Sequence, residues 1–252
     1  MSTTSTPRTR IHTATVHAAA AGAESDPGTL RRQLAFMREF VKAPHVVAAI
    51  APSSPRLAKK MIDGLDLRGA RVVVEFGPGT GTFTKAVLEA LPADWLGRVP
   101  TSNGASAGPA SALPNGAGDP GGTRRFIAIE FNKALAAILR KRYPQVAIHN
   151  DDAANVVQIL EREGLGAGRA DAIISGLGWP SFSDEVRTRI LEATHAALKP
   201  GGEFRTFGYH VGLLMRGAWH FRSEVRRLFK HVEISRVVWR NAPPAFVYRC
   251  VK

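Results

Sequence analysis

The chain has 252 residues, 44% of them hydrophobic, and a formal net charge of +13. That size holds one α/β domain plus appendages, and the charge favours an anionic partner: nucleic acid, an acidic membrane surface or an acidic substrate. A single cysteine, Cys250, excludes an internal disulfide and suits a reducing compartment, and no apolar run approaches the ~20 residues of a membrane span.

Residues 1–28 read as a disordered tail. They carry Arg8 and Arg10, many Ser and Thr, and no acid before Glu24, without the apolar segment of a secretory signal. Residues 29–68 read as N-terminal helices ahead of the main domain, 69–252. Over 30–42, Leu30, Leu34, Met37 and Val41 form one stripe, widened by Phe36 and Phe40. Arg31, Arg38 and Lys42 lie on the other flank. Taken alone, this pattern fits a core-packing helix with a solvated basic face, or a helix lying at an anionic membrane interface. Ser53-Ser54-Pro55 then starts a helix, with Ser as N-cap and Pro at the first helical position, ending at Gly64.

Residues 71–84, RVVVEFGPGTGTFT, organise the rest. Three consecutive valines suit a central strand covered on both faces. Gly77, Gly79 and Gly81 permit a sharp turn and close approach of a ligand, and Thr82 and Thr84 serve the first turn of a helix over 82–91. The dinucleotide fingerprint is G-x-G-x-x-G; here the third glycine comes one residue early. Glu75, two residues before the first glycine, repels a diphosphate and favours a cation. S-adenosylmethionine offers an ammonium and a sulfonium, and its carboxylate suits a helix N-terminus. The E-x-G-x-G-x-G pattern resembles motif I of the class I methyltransferases.

Residues 99–123 are nearly all Gly, Ala, Ser, Pro and Asn and read as a flexible insertion at the amino ends of the strands, away from the chemistry. A second strand, 126–130, ends on Glu130, placed to accept the ribose hydroxyls. A helix (132–143) and a third strand (146–149) follow. After them, Asp152 with Ala153 is the choice for the adenine amine, and Asp151 for the cap of the next helix, 153–163. A fourth strand (170–175) ends on Ser175 and opens into SGLGWPSF, where the reacting methyl belongs. After a helix over 183–198, Lys199-Pro200-Gly201-Gly202 reads as a turn. A fifth strand (203–207) is followed by Gly208, Tyr209 and His210, and a helix covers 213–229. A hairpin, 231–239 with 246–251, closes a seven-stranded, mostly parallel, doubly wound, Rossmann-like sheet with an N-terminal helical extension.

Five stretches resemble the bacterial phospholipid N-methyltransferases, the phosphatidylethanolamine-methylating group: residues 38–61, 73–84, 173–179 (IISGLGW), 204–209 (FRTFGY) and 237–249 (VVWRNAPPAFVYR). The resemblance implies a class I methyltransferase sheet, S-adenosylmethionine as donor, successive methylation of a lipid amine, and a membrane-binding helix over 30–42. It implies a cytoplasmic protein held peripherally at the inner face of the membrane. One departure is Gly178 where members commonly carry Pro, with Pro180 two residues on. More distant is the resemblance to rRNA adenine dimethyltransferases. Adenine methylation needs an Asn or Asp acceptor after strand four, and 175–182 has none, which disfavours nucleic acid. A small-molecule N- or O-methyltransferase is the alternative enzyme, and a non-catalytic nucleotide- or RNA-binding relative the alternative class. Tyr209 is the candidate to orient the amine and His210 to accept its proton. Trp179 and Phe182 are candidates for cation–π contact with the headgroup, and Arg216 or Arg240 for a lipid phosphate. No two histidines stand at ligand spacing beside a carboxylate, so no metal is expected.

Overall fold

The computed structural model describes residues 54–92, 95 and 124–252. The expected tail, the 30–42 helix and the 99–123 insertion lie outside the described residues.

Helix α1 (Pro55–Ile62) begins as its sequence dictates: the Ser54 hydroxyl accepts from the Leu57 amide and Pro55 opens the first turn. Its inner face is Leu57, Ala58 and Met61. Strand β1 (Val72–Phe76) is buried along its whole length. Its alternation sends Val72, Val74 and Phe76 into one half of the core and Val73 into the other. Glu75 therefore shares the Val73 face, the face that α2 (Thr82–Ala90) covers with Phe83 and Val87.

The remaining elements are β2 (Arg125–Ile129), α3 (Lys133–Arg142), β3 (Ala147–His149), α4 (Val156–Arg162), β4 (Ala170–Ser175), α5 (Asp184–Ala197), β5 (Leu198–Tyr209), α6 (Arg216–Leu228), β6 (His231–Ile234) and β7 (Ala245–Val251). The sheet order is β3-β2-β1-β4-β5-β7-β6. The first five strands run parallel, and β7 enters antiparallel between β5 and β6. The order reverses between β1 and β4, so the crevice at their carboxyl ends is where such a sheet takes a ligand.

Two cores result. Helices α4, α5 and α6 cover one face through Ile159, Leu191 and Val225; α1, α2 and α3 cover the other through Met61, Val87 and Leu139. Each such side chain, fully buried, contributes about 1.5–3 kcal/mol. Arg205, on β5, ties α1 to the sheet: its guanidinium donates to the carbonyls of Met61 and Asp63 and pairs with Glu203 at 2.8 Å.

Three local expectations change. Lys199–Gly202 is no free turn but part of β5: the register against β4 shifts between Ala170 and Ala172, and the Gly201 amide donates to the Lys252 carbonyl. The bulge absorbs the turn that Pro200 and Gly201 signal. The helix expected from 153 opens as a 3-10 turn, Ala153–Asn155, before α4. The helix expected from 213 is likewise preceded by a 3-10 turn, His210–Leu214.

Candidate active site

The carboxyl ends of β1, β2 and β4 converge on the glycine loop. Gly77, Gly79 and Gly81 all have positive φ, at 61°, 56° and 84°. Their neighbours differ. A Cβ at Gly81 would lie 2.7 Å from the Tyr143 ring, one at Gly77 would lie 2.8 Å from the Leu177 side chain, and one at Gly79 would meet only a carbonyl at 3.9 Å. Two glycines are thus wedged by neighbours, while Gly79 faces open space where a ligand fits.

The loop is held from below. The Tyr143 hydroxyl donates to the Gly81 carbonyl at 3.2 Å, and Arg142 donates to the Thr80 carbonyl at 3.1 Å. Gly176 presses from the side; a Cβ there would lie 2.6 Å from the Gly77 carbonyl oxygen. None of Tyr143, Arg142 or Gly176 was singled out by sequence reasoning. The SGL stretch carried a signal for Gly176; nothing local marks Tyr143.

Glu75 is fully buried. Its Oε2 accepts from the Thr84 hydroxyl at 2.7 Å, and its Oε1 has no hydrogen-bond partner. Burial pushes the carboxyl up to about 8, with the Glu130 charge adding to the rise and the Thr84 bonds opposing it. An orphaned buried oxygen beside a glycine loop is a ready acceptor for a cationic N–H donor. Thr84 is thus committed to Glu75 rather than to capping α2. The cap position is Gly81, with no side-chain cap bond, and Thr82 occupies the first helical position.

Glu130 lies just past β2. Its Oε2 accepts from the Gly79 amide at 3.0 Å and its Oε1 from the Asn132 amide at 2.8 Å. The carboxylate therefore joins the β2 end to the loop and keeps lone pairs for hydroxyl donors. Asn150 fixes that end by donating to the carbonyls of Glu130 and Phe131.

The capping role expected of Asp151 falls to its neighbour. Asp152, not Asp151, caps the 3-10 turn by accepting from Ala154, and it also pairs with Arg189 at 2.7 Å. Asp151 is held by Asn155 and Arg162, and these hydrogen bonds lower its carboxyl below the ordinary value. Ala153 packs into the core beside α4. Ser175 is buried at the end of β4, and its hydroxyl accepts from the Leu177 amide at 3.2 Å.

Trp179 departs most from expectation. It is 1% exposed and packs against Phe182, Phe204 and Phe221 with ring centroids 5.1–5.9 Å apart. Its indole N–H donates to Thr206 at 2.9 Å. Trp179 anchors the loop after β4 from inside the core instead of facing a headgroup. Tyr209 ends β5, half-buried, edge-on to Phe207 at 5.3 Å. Burial pushes its phenol up to about 12. His210 is exposed, its amide bonded to the Pro244 carbonyl and its ring 5.5 Å from Trp239. Arg216 and Arg240 are both exposed. Among the described residues no cluster of His, Cys, Asp or Glu can hold a metal ion.

No family model matches the chain. It is 28% identical over 218 residues to an ornithine lipid N-methyltransferase from Singulisphaera acidiphila, spanning 85% of this chain and 93% of that protein. An O-methyltransferase from Bacillus cereus, solved with S-adenosylhomocysteine, superposes with a TM-score of 0.54 at 15% identity, covering 90% of this chain and 92% of the other. The O-methyltransferase TomG from Streptomyces achromogenes, solved with S-adenosylmethionine, gives 0.52 at 18% identity, with 91% of each chain covered. Longer solved chains are only partly spanned; the chain covers 61% of a spermidine synthase at a TM-score of 0.53. The fold is that of the class I methyltransferases. With the curated relative, it makes the chain an S-adenosylmethionine-dependent methyltransferase.

Proposed function

We propose that the protein transfers a methyl group from S-adenosylmethionine to the amine of a membrane-lipid headgroup. The acceptor is phosphatidylethanolamine and its methylated intermediates, or an ornithine-type headgroup bearing a free amine. The observation that carries the lipid reading is the likeness along 93% of an ornithine lipid N-methyltransferase.

The residues fit the donor. Glu75 Oε1, buried and without a partner, suits the ammonium, and the uncapped start of α2 suits the carboxylate. Glu130 suits the ribose hydroxyls, with Asp152 and Ala153 at the adenine. The open side of Gly79 and the Ser175–Leu177 turn leave room for the rest. When bound, the donor supplies a methyl already activated on a sulfonium, so the chain needs no nucleophile of its own.

The chain's part is alignment and proton removal. Holding amine, carbon and sulfur in line can lower a barrier by up to ~7–11 kcal/mol. A primary ammonium resembles Lys, with a pKa of ~10.4, and must lose a proton before its lone pair can attack. Tyr209, pushed up to about 12 by burial, stays a neutral hydroxyl at physiological pH and orients the nitrogen. His210, exposed beside it, takes the proton toward solvent. Trp179 supports the acceptor loop from the core.

The test is incubation with methyl-labelled donor and separate pools of purified lipids and soluble amines. Label in phosphatidylethanolamine or an ornithine lipid supports the reading. Label confined to soluble amines overturns it in favour of a small-molecule methyltransferase.

A further inference from the structure

The carboxyl end of the sheet carries an apolar surface that the donor site does not use. Leu214, Trp219 and Trp239 are 91%, 65% and 68% exposed. They come from three segments joined beside the end of β5. Tyr209 leads into the 3-10 turn His210–Leu214. The Leu213 carbonyl accepts from the Trp219 indole N–H at 2.9 Å. At the other end of that turn, His210 lies against Trp239 and bonds to the Pro244 carbonyl. These contacts bring the three segments together alongside the residue expected to face the acceptor.

The chain segments that carry them hold charge of one sign, and an acid that faces them from α5 is Asp184, 3.2 Å from the His220 ring. Residues 204–223 and 234–252 contain no Asp or Glu. Arg216, Arg236 and Arg240 are exposed in these stretches, and none forms an ion pair with a described residue. Indole rings favour the boundary between water and hydrocarbon, and arginines beside them favour an anionic headgroup layer. A second copy of a chain carrying +13 is repelled from such a face. A nucleic acid matches the arginines but leaves Leu214 without an apolar partner.

We infer that Leu214, Trp219 and Trp239, with Arg216, Arg236 and Arg240 of the same segments, dock the protein on an anionic lipid membrane with the acceptor opening facing the bilayer. The inference rests on the lipid-amine reading and adds the surface through which the acceptor is reached.

The test uses the full chain and its own fluorescence. Of four tryptophans, Trp95 and Trp179 are each 1% exposed and serve as an internal reference. Vesicles of phosphatidylcholine containing phosphatidylglycerol and lipids brominated on the acyl chains should blue-shift and quench the emission. Pure phosphatidylcholine vesicles should do neither, and added salt should weaken the effect. Trp219→Phe and Trp239→Phe should each remove part of the quenching. Leu214→Asp with Trp219→Asp should weaken vesicle binding at least about tenfold while preserving methylation of a detergent-dispersed lipid amine. Vesicle binding without quenching of these rings overturns the inference. So does emission already blue before vesicles are added, which means another part of the chain covers the surface. A shift produced by RNA and not by anionic vesicles overturns it in favour of nucleic acid. Failure of the wild-type protein to methylate any dispersed lipid counts against the lipid-amine reading alone, since quenching is read without turnover.

Discussion

Glu75→Gln separates the two jobs of the motif carboxylate. The folded carboxyl sits at about 8 against an ordinary 4.5. Between those values the folded state keeps a proton that the unfolded state has released, so stability falls as pH rises through this window. The loss amounts to at most about 5 kcal/mol across it, and is complete above pH ~8, where both states are ionised. Gln keeps an oxygen for the Thr84 hydroxyl and carries no charge, so its melting temperature should lack this fall. Melting without ligand near pH 5 and near pH 8 should show the wild type dropping and the variant holding, at ~2–4 °C per kcal/mol for a domain of this size. At the alkaline end the variant should be the more stable protein and the weaker donor binder. Replacing a charged acceptor by an amide costs about 1.5–3 kcal/mol, roughly 10–100-fold in calorimetric affinity. Parallel melting profiles for both proteins, or equal donor affinity, would refute the reasoning.

Tyr143→Phe removes the hydroxyl that pins the Gly81 carbonyl. Stability should fall by about 1 kcal/mol, and steady-state kinetics should show a raised donor KM with kcat little changed. Gly176→Ala drives a methyl to 2.6 Å from a backbone oxygen; thermal melts should show a loss of at least about 2 kcal/mol. Gly79→Ala meets open space and pays only for its positive φ, a cost of about 1–2 kcal/mol, but it should block donor binding in calorimetry. Arg187→Ala removes a buried guanidinium and leaves the partly exposed Glu224 without its partner at 3.0 Å; denaturant titration should show a loss of about 1.5–3 kcal/mol. Tyr209→Phe should lower kcat with donor affinity unchanged, and an unaltered kcat would remove Tyr209 from the acceptor site.

Much of this was legible in the chain because short-range signals and the sheet agree. Three valines before the glycines give a central strand, and Ser54-Pro55, Asn132 and Ser183 each stand where a helix begins. Glu75 and Glu130 could be picked out because acids are rare at the end of apolar strands. What stayed hidden depends on distant partners. The burial of Trp179 is fixed by Phe204 and Phe221, more than twenty residues away, and no local pattern distinguishes that from an exposed ring on a loop. Thr84 looked like a cap because capping is a local role; its real partner comes from a strand whose facing is set by the whole sheet. Lys199–Gly202 carries strong turn chemistry, yet Lys252, just past β7, holds that segment in the ladder.

The central claim is that a buried strand-end carboxylate with an early third glycine selects a methionine-type cation over a diphosphate. Calorimetric titration of the full chain with S-adenosylmethionine and, separately, with NAD measures this directly. The account predicts saturable one-site binding of the sulfonium compound and none of the dinucleotide. Saturable NAD binding without any S-adenosylmethionine binding would contradict it.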